Sequence, residues 1–198
     1  RLVANTLAAM DRPPRVLVSG SAVGIYGDRG DEILDERSAP GTGFLAEVGQ
    51  AWEAAAAPAR DAGIRVVHPR IGIALTPRGG MLERLLLPFR LGLGGKVGSG
   101  RQWVAWIALD DLVAALDFLL GADALAGPVN VVAPEPVTNA DFSHALGRAL
   151  HRPVLATVPA LALKLALPGG QAEEMALASQ RAVPRRLAEA GFRWAHPK

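Results

Sequence analysis

Val16-Leu17-Val18-Ser19-Gly20-Ser21-Ala22-Val23-Gly24-Ile25-Tyr26-Gly27 runs from an apolar triplet into small and hydroxyl-bearing residues. An apolar, β-branched run with Pro13-Pro14 before it and glycines after it reads as a buried strand of a parallel sheet. In open α/β sheets, ligands bind just beyond the carboxyl ends of such strands. Here that end carries residues too small to obstruct a flat ring, with Ser19 or Ser21 able to donate a hydrogen bond. The same residues also suit a tight turn in which glycines take positive φ and serines cap a helix. The stretch alone leaves both readings open.

Working outward, the spacing of Glu47, Ala51, Trp52, Ala55 and Ala56 predicts a helix over 44–62, ended by Gly63. Ile64-Arg65-Val66-Val67-His68 is a second buried strand. A strand–helix–strand unit has a right-handed parallel crossover almost without exception, which makes the chain α/β. Upstream, Leu2–Met10 reads as the tail of a helix, stopped by Asp11-Arg12-Pro13-Pro14. Downstream come a helix over 81–93, a flexible glycine-rich loop over 92–100 and a single strand over 103–107. Alternation in that strand sets Trp103 and Ala105 on one side, Val104 and Trp106 on the other. Asp110 and Asp111 read as caps of a helix over 111–120, followed by a strand over 128–132. Thr138-Asn139-Ala140-Asp141 is an amino-terminal capping signature for a helix over 142–150. Beyond a stretch at 153–158 the remainder reads as short helices, one opened by Pro184 and closed by Gly191.

Composition narrows the class. Half of the 198 residues are hydrophobic and 20% are charged, enough for a real core. The chain has no cysteine, which removes disulfides, thiolate catalysis and Cys-based metal sites. His68, His144, His151 and His196 are dispersed; His144 and His151 share a helix face but lie two turns apart, so no metal is assigned. Lysine occurs only at 96, 164 and 198, the net charge is +2, and there is no basic run of the kind that binds nucleic acid. No apolar run reaches the ~18 residues of a membrane span, and the first residues lack the pattern of a secretory signal. These features point to a cytoplasmic protein with neither membrane nor nucleic-acid partners.

Several patterns occur in one order: Ser19–Gly27, Trp52-Glu53, Pro69-Arg70-Ile71-Gly72-Ile73-Ala74-Leu75, Pro88–Gly95, Gly98–Ile107 and Asp110-Asp111. Together they resemble the extended short-chain dehydrogenase/reductase superfamily, and more narrowly its atypical branch of nucleoside-diphosphate-sugar epimerases. That branch ends in a small C-terminal domain to which Pro153–Pro197 is similar. The resemblance implies the C-terminal part of a Rossmann-like doubly wound parallel sheet plus a small mixed α/β substrate lobe. It places the cofactor domain at 1–133, with cleft segments at 76–107, and the smaller domain at 134–198. It further implies NADP, with NAD as the alternative, and a carbonyl or nucleotide-sugar-like substrate. Separately, the apolar Leu161–Leu167 stretch reads either as core or as the contact face of a homodimer. On this resemblance the chain begins late in the family's domain, because no Gly-rich phosphate-binding turn precedes Arg15.

The superfamily's Tyr-x-x-x-Lys pair cannot exist here: the single tyrosine is Tyr26, with Gly30 four residues on. At the helix where the family norm puts the pair, Phe44/Val48 or Leu45/Gly49 stand instead. By resemblance, Ser21 is the hydroxyl that polarises the reacting carbonyl, or else a turn residue, and Tyr26 is a cleft wall or a proton-transfer group. Ser19, Gly20, Arg70, Ile71 and Gly72 would pass the nicotinamide, Arg70 being alternatively a strand-end partner of a loop carboxylate. Arg101, with its planar charged fork, and Gln102, Trp103 and Trp106 would receive the substrate; alternatively, the two indoles anchor the lobes. Glu53 is a general base or a helix-face charge, and its position favours the solvated face. Two functions of other classes compete with the enzyme: a weakly catalytic dinucleotide-binding regulator, in line with the cell-division-inhibitor label of some family members, and an interaction module.

Overall fold

The computed structural model describes residues 1–159 and 177–198. It opens with α1 (Leu2–Ala8), β1 (Val16–Val18), β2 (Ser21–Ala22), a 3-10 turn at Val23–Tyr26 and β3 (Ile33–Leu34). Then come α2 (Phe44–Ala55), α3 (Ala57–Asp61), β4 (Arg65–Ile71), β5 (Ile73–Leu75) and α4 (Gly80–Arg90). Next are β6 (Gly95–Val97), β7 (Trp103–Val104), β8 (Trp106–Ala108), α5 (Leu109–Gly121) and β9 (Gly127–Val131). The chain closes with β10 (Val137–Thr138), α6 (Asn139–Ala149), β11 (Ala156–Val158), β12 (Arg181–Ala182) and α7 (Arg185–Glu189).

The fold is α/β as the sequence predicts. β4 is the central strand of the principal sheet, paired in parallel with β1 and β2 on one side and β9 on the other. Val16 pairs Arg65 and Ser21 pairs Arg70, one register throughout, so β1 and β2 are a single course interrupted at Ser19-Gly20. One face of β4 sends Val67 into a core with Ile107, Leu119, Val129, Val131, Leu187 and Phe192. On the other face Val66 packs with Ala56, Ala59 and Ile64. Residues 187–194 thus return to the principal sheet, where Trp194 stacks edge-on against Phe192 at 4.9 Å.

Four local expectations are corrected. The helix over 44–62 is two helices that break at Ala56, because Pro58 at the start of α3 cannot continue the hydrogen-bond ladder of α2. The 92–100 loop contains β6, which pairs in parallel with β11. The 103–107 strand is two: β7 pairs β10, β8 pairs β5, and buried Ala105 lies between them. The segment after 158 is not helical throughout, since β12 pairs β3. The Leu161–Leu167 dimer face lies outside the described residues.

At Gly72 the chain leaves the principal sheet: its N–H bonds Val131 O, while Ile73 N bonds Ala105 O in the β5–β8 pair. A Cβ here would lie 2.8 Å from both Ala105 O and Val132 Cγ1. Packing, then, is what this glycine satisfies. Gly72→Ala is expected to cost about 1–3 kcal/mol by overpacking, measured by urea denaturation. A loss well below that range would mean that the crossing can spread.

Candidate functional site

The Ser19-Gly20 interruption marks the carboxyl end of β1. Gly20 has open space where a side chain would stand. Two cavities meet there: one of about 190 Å³, bounded by Leu17, Ser19 and Trp52, and one of about 440 Å³, bounded by Val18, Ile71 and Leu116. A strand end open on both faces of the sheet fits a flat ring.

One residue on, the chain turns inward. Ser21 is buried, and its Oγ donates to Glu53 Oε1 at 2.9 Å. Arg70, buried on β4, grips the same carboxylate with both edges of its fork: Nε to Oε1 at 2.8 Å and Nη2 to Oε2 at 2.9 Å. Its Nη1 donates to the Tyr26 hydroxyl at 3.0 Å, which in turn donates to Asn130 Oδ1 at 2.7 Å. Asn130 Nδ2 reaches Leu34 O and Val183 O, so the chain of bonds runs from the 3-10 turn to β3 and the residue after β12.

The electrostatics follow from this geometry. Burial by itself would raise the Glu53 pKa, but the Arg70 fork and charge, aided by Ser21, hold it below the ordinary carboxylate value. Tyr26 moves the other way: burial raises its pKa against the opposing pull of Arg70. His68, on the same face of β4 as Arg70, is pushed down by burial, and its Nδ1 is buried without a hydrogen-bond partner. Glu36 is raised by burial although its Oε1 accepts from Asn130 N and Arg186 N.

A third cavity, of about 450 Å³, opens between the 3-10 turn and the start of α2 on one side and Leu177, Ala178 and Gln180 on the other. Ser179 fastens this second wall: its N–H donates to Asp28 Oδ1 at 3.1 Å, its Oγ to Gly30 O at 2.6 Å, and it accepts from Trp103 N at 3.0 Å.

The expected site residues therefore divide. Ser21, Tyr26 and Arg70 form one buried cluster, with Glu53 as its hub. Glu53 is thus not on a solvated face; the expectation fails because its partner comes from β4, across the helix–strand crossing. Ser19, Gly20 and Ile71 border the open strand end. Trp103 gives its indole N–H to Asp31 at 2.9 Å and lies under the Arg181 guanidinium at 4.2 Å. Trp106 donates to Glu135 O, and buried Gln102 donates to Val97 O. Arg101 is exposed. Asp111 is not a cap of its own helix: it is buried and accepts from Ala195 N and His196 N. Thr138 does cap α6, accepting from Asp141 N at 3.1 Å. Asn130 is the functional candidate that pattern reasoning misses, although an amide inside an apolar strand must have buried partners. Among the described residues, no group of three or more acidic or histidine side chains could hold a metal, and no helix is long and apolar enough to cross a membrane.

An open parallel sheet with a ligand-sized gap at its strand end defines a Rossmann-type α/β protein. Residues 158–198 match a family model described as a domain of unknown function, DUF1731. An epimerase family protein of Mycobacterium bovis is 46% identical over 189 residues, 96% of this chain and 62% of the relative. The structure of human epimerase family protein SDR39U1 with NADPH superposes at a TM-score of 0.94, with 34% identity, over 100% of this chain and 66% of that one. A nucleoside-diphosphate sugar epimerase from Corynebacterium glutamicum gives 0.81 and 41%, over 100% of this chain and 38% of its own. Over nearly its whole length the chain is similar to these epimerase family proteins. It spans about 62% of the length of the mycobacterial relative.

Proposed function

We propose that the protein works as an NADP-dependent epimerase or oxidoreductase on a small carbonyl or sugar-like molecule, with NAD the weaker cofactor. The observation that carries this reading is the open strand end at Gly20, beside a buried hydroxyl network, in a relative of a protein solved with NADPH. Ser19, Gly20 and Ile71 would hold a nicotinamide, which supplies reversible hydride acceptance there. The Ser21 Oγ–H is directed at Glu53, so its lone pairs are available to a substrate hydroxyl; rotation about Cβ–Oγ would turn the proton to a carbonyl instead. Arg70 keeps Glu53 ionised and therefore able to receive that proton's hydrogen bond.

The test is a thermal-shift titration of the complete gene product with NADPH and NADH. At a hundred times the dissociation constant, the bound cofactor should add roughly 2.7 kcal/mol. NADPH is expected to act at lower concentration than NADH, and Ser21→Ala to keep that shift while losing NADPH oxidation with a panel of carbonyl compounds. No shift with either nucleotide would overturn the reading. A second reading, a weakly catalytic nucleotide-binding regulator, is favoured by Tyr26, which is fully buried with its hydroxyl engaged at Arg70 and Asn130. An NADPH shift without oxidation of NADPH by any carbonyl would support it.

A further inference from the structure

We propose that the substrate group facing Ser21 is a hydroxyl, and that the site therefore holds the alcohol form of its substrate more tightly than the carbonyl form. The proposal rests on the functional reading above, which sets a substrate oxygen against Ser21, and it reverses the polarising role that the resemblance implies for that serine.

The direction of one proton decides the choice. Ser21 Oγ and Glu53 Oε1 are 2.9 Å apart, and a hydrogen bond between them needs a single proton. Glu53 does not supply it. Burial pushes its pKa up, but Arg70 binds both of its oxygens, at 2.8 and 2.9 Å, and holds it below the ordinary carboxylate value. An ionised carboxylate only accepts. The shared proton is therefore the serine's own, and what Ser21 keeps for an outside partner is its lone pairs. A hydroxyl can donate to them; a carbonyl oxygen, itself only an acceptor, cannot.

The rest of the cluster turns its donors inward as well. Arg70 Nη1 donates to the Tyr26 hydroxyl at 3.0 Å. Tyr26, fully buried, gives its one proton to Asn130 Oδ1 at 2.7 Å, with Asp35 O as the other acceptor in reach at 3.0 Å. Asn130 Nδ2 is spent on Leu34 O and Val183 O. A site that polarises a carbonyl aims N–H or O–H groups at the oxygen where charge develops. In this cluster each of these donors aims at an acceptor of the protein instead. Rotation about Cβ–Oγ would turn the Ser21 proton to a carbonyl, but Glu53 Oε1 would then lose that bond in a place largely shielded from water. A lost hydrogen bond to a charged group is worth about tenfold or more in affinity, and that factor is the expected preference for the alcohol.

The experiment is an amide NMR titration of the complete protein with cyclohexanol and cyclohexanone, a pair that shares one ring and differs only at the oxygen-bearing carbon. No cofactor is added, because the charge of an oxidised nicotinamide would itself bias the choice. Both probes are expected to shift the Gly20, Ser21 and Ala22 amides, cyclohexanol at about a tenfold lower concentration. Ser21→Ala, which removes the lone pairs, should bring the two to equal affinity by weakening the alcohol alone. A second readout needs no variant: the Glu53 carboxyl carbon should keep the chemical shift of a carboxylate at neutral pH, with and without cyclohexanol. Equal or tighter binding of the ketone, no shift with either probe, a preference that survives Ser21→Ala, or a Glu53 carboxyl protonated at neutral pH would each overturn the proposal. NADPH binding, measured separately, tests the functional reading: a cofactor shift together with a preference for the ketone would leave that reading standing and refute the alcohol preference.

Discussion

Arg70→Met is expected to lower the unfolding free energy by about 3–5 kcal/mol, a fall in melting temperature of roughly 6–20 °C for a domain of this size. The Arg70 and Glu53 side chains are 6% and 16% exposed, so either one is largely shielded from water when the other is removed. Without the guanidinium, Glu53 keeps only the Ser21 hydroxyl, and the Tyr26 oxygen loses its donor. The pH dependence has a definite sign. In the wild type, the Glu53 pKa lies below its unfolded value. Its contribution is therefore present above the unfolded carboxylate pKa and is lost as pH falls through the folded one. In the variant, burial is no longer offset by the guanidinium and the pKa rises; what Glu53 contributes is then present at low pH and lost as pH climbs. The gap between the two proteins should widen from about pH 4 to pH 7, across the ordinary carboxylate range. Urea denaturation at several pH values measures it, and a gap that stays constant with pH would refute the account. Replacing both members together, as Arg70→Met with Glu53→Leu, should recover most of the loss because no charge is left stranded.

Why this pair escapes the sequence, while the α/β class does not, is a matter of range. The strand at 16–18 and the helix after it announce themselves by periodicities that a short window contains. Glu53 sits beside Trp52, which is 55% exposed, and on the helix pattern alone a charge in that place belongs to the solvated face. What moves it inside is a guanidinium 17 residues later, delivered by the next strand. The same holds at β6: Gly95-Lys96-Val97 has little strand propensity of its own, and its ladder exists because Ala156–Val158 comes alongside. By contrast, the break between α2 and α3 has a local cause in Pro58, and the Thr138 cap of α6 is local as well. The open strand end at Gly20 was legible as small residues in the right place; the fixed carboxylate of Asp28 depends on Ser179, which lies 151 residues away.

Asp111→Ala should release the C-terminal tail at a cost of about 3 kcal/mol or more, since two hydrogen bonds to a buried charged group are lost at once. Asp111 is 2% exposed; it accepts from Ala195 N at 2.7 Å and His196 N at 2.9 Å, one bond to each oxygen. Its place in the first turn of α5 adds a favourable helix dipole to the same carboxylate. Asp111→Asn keeps one acceptor but turns an NH₂ toward a backbone donor, so it should recover only part of the loss. Hydrogen exchange separates release of the tail from general weakening: the Ala195 and His196 amides should exchange far faster in Asp111→Ala while those of β4 keep most of their protection. Equal acceleration in both places would contradict a local latch. The tail also bears on the crossing at Gly72. Trp194 Nε1 donates to Val132 O at 3.0 Å, and Val132 is the residue whose Cγ1 closes the space over Gly72. Loosening Trp194 gives Val132 room to move, which is the adjustment that an added methyl at Gly72 requires. Asp111→Ala and Gly72→Ala should therefore be less than additive in the double variant. Strict additivity would mean that the tail and the crossing are held independently, despite the residue they share.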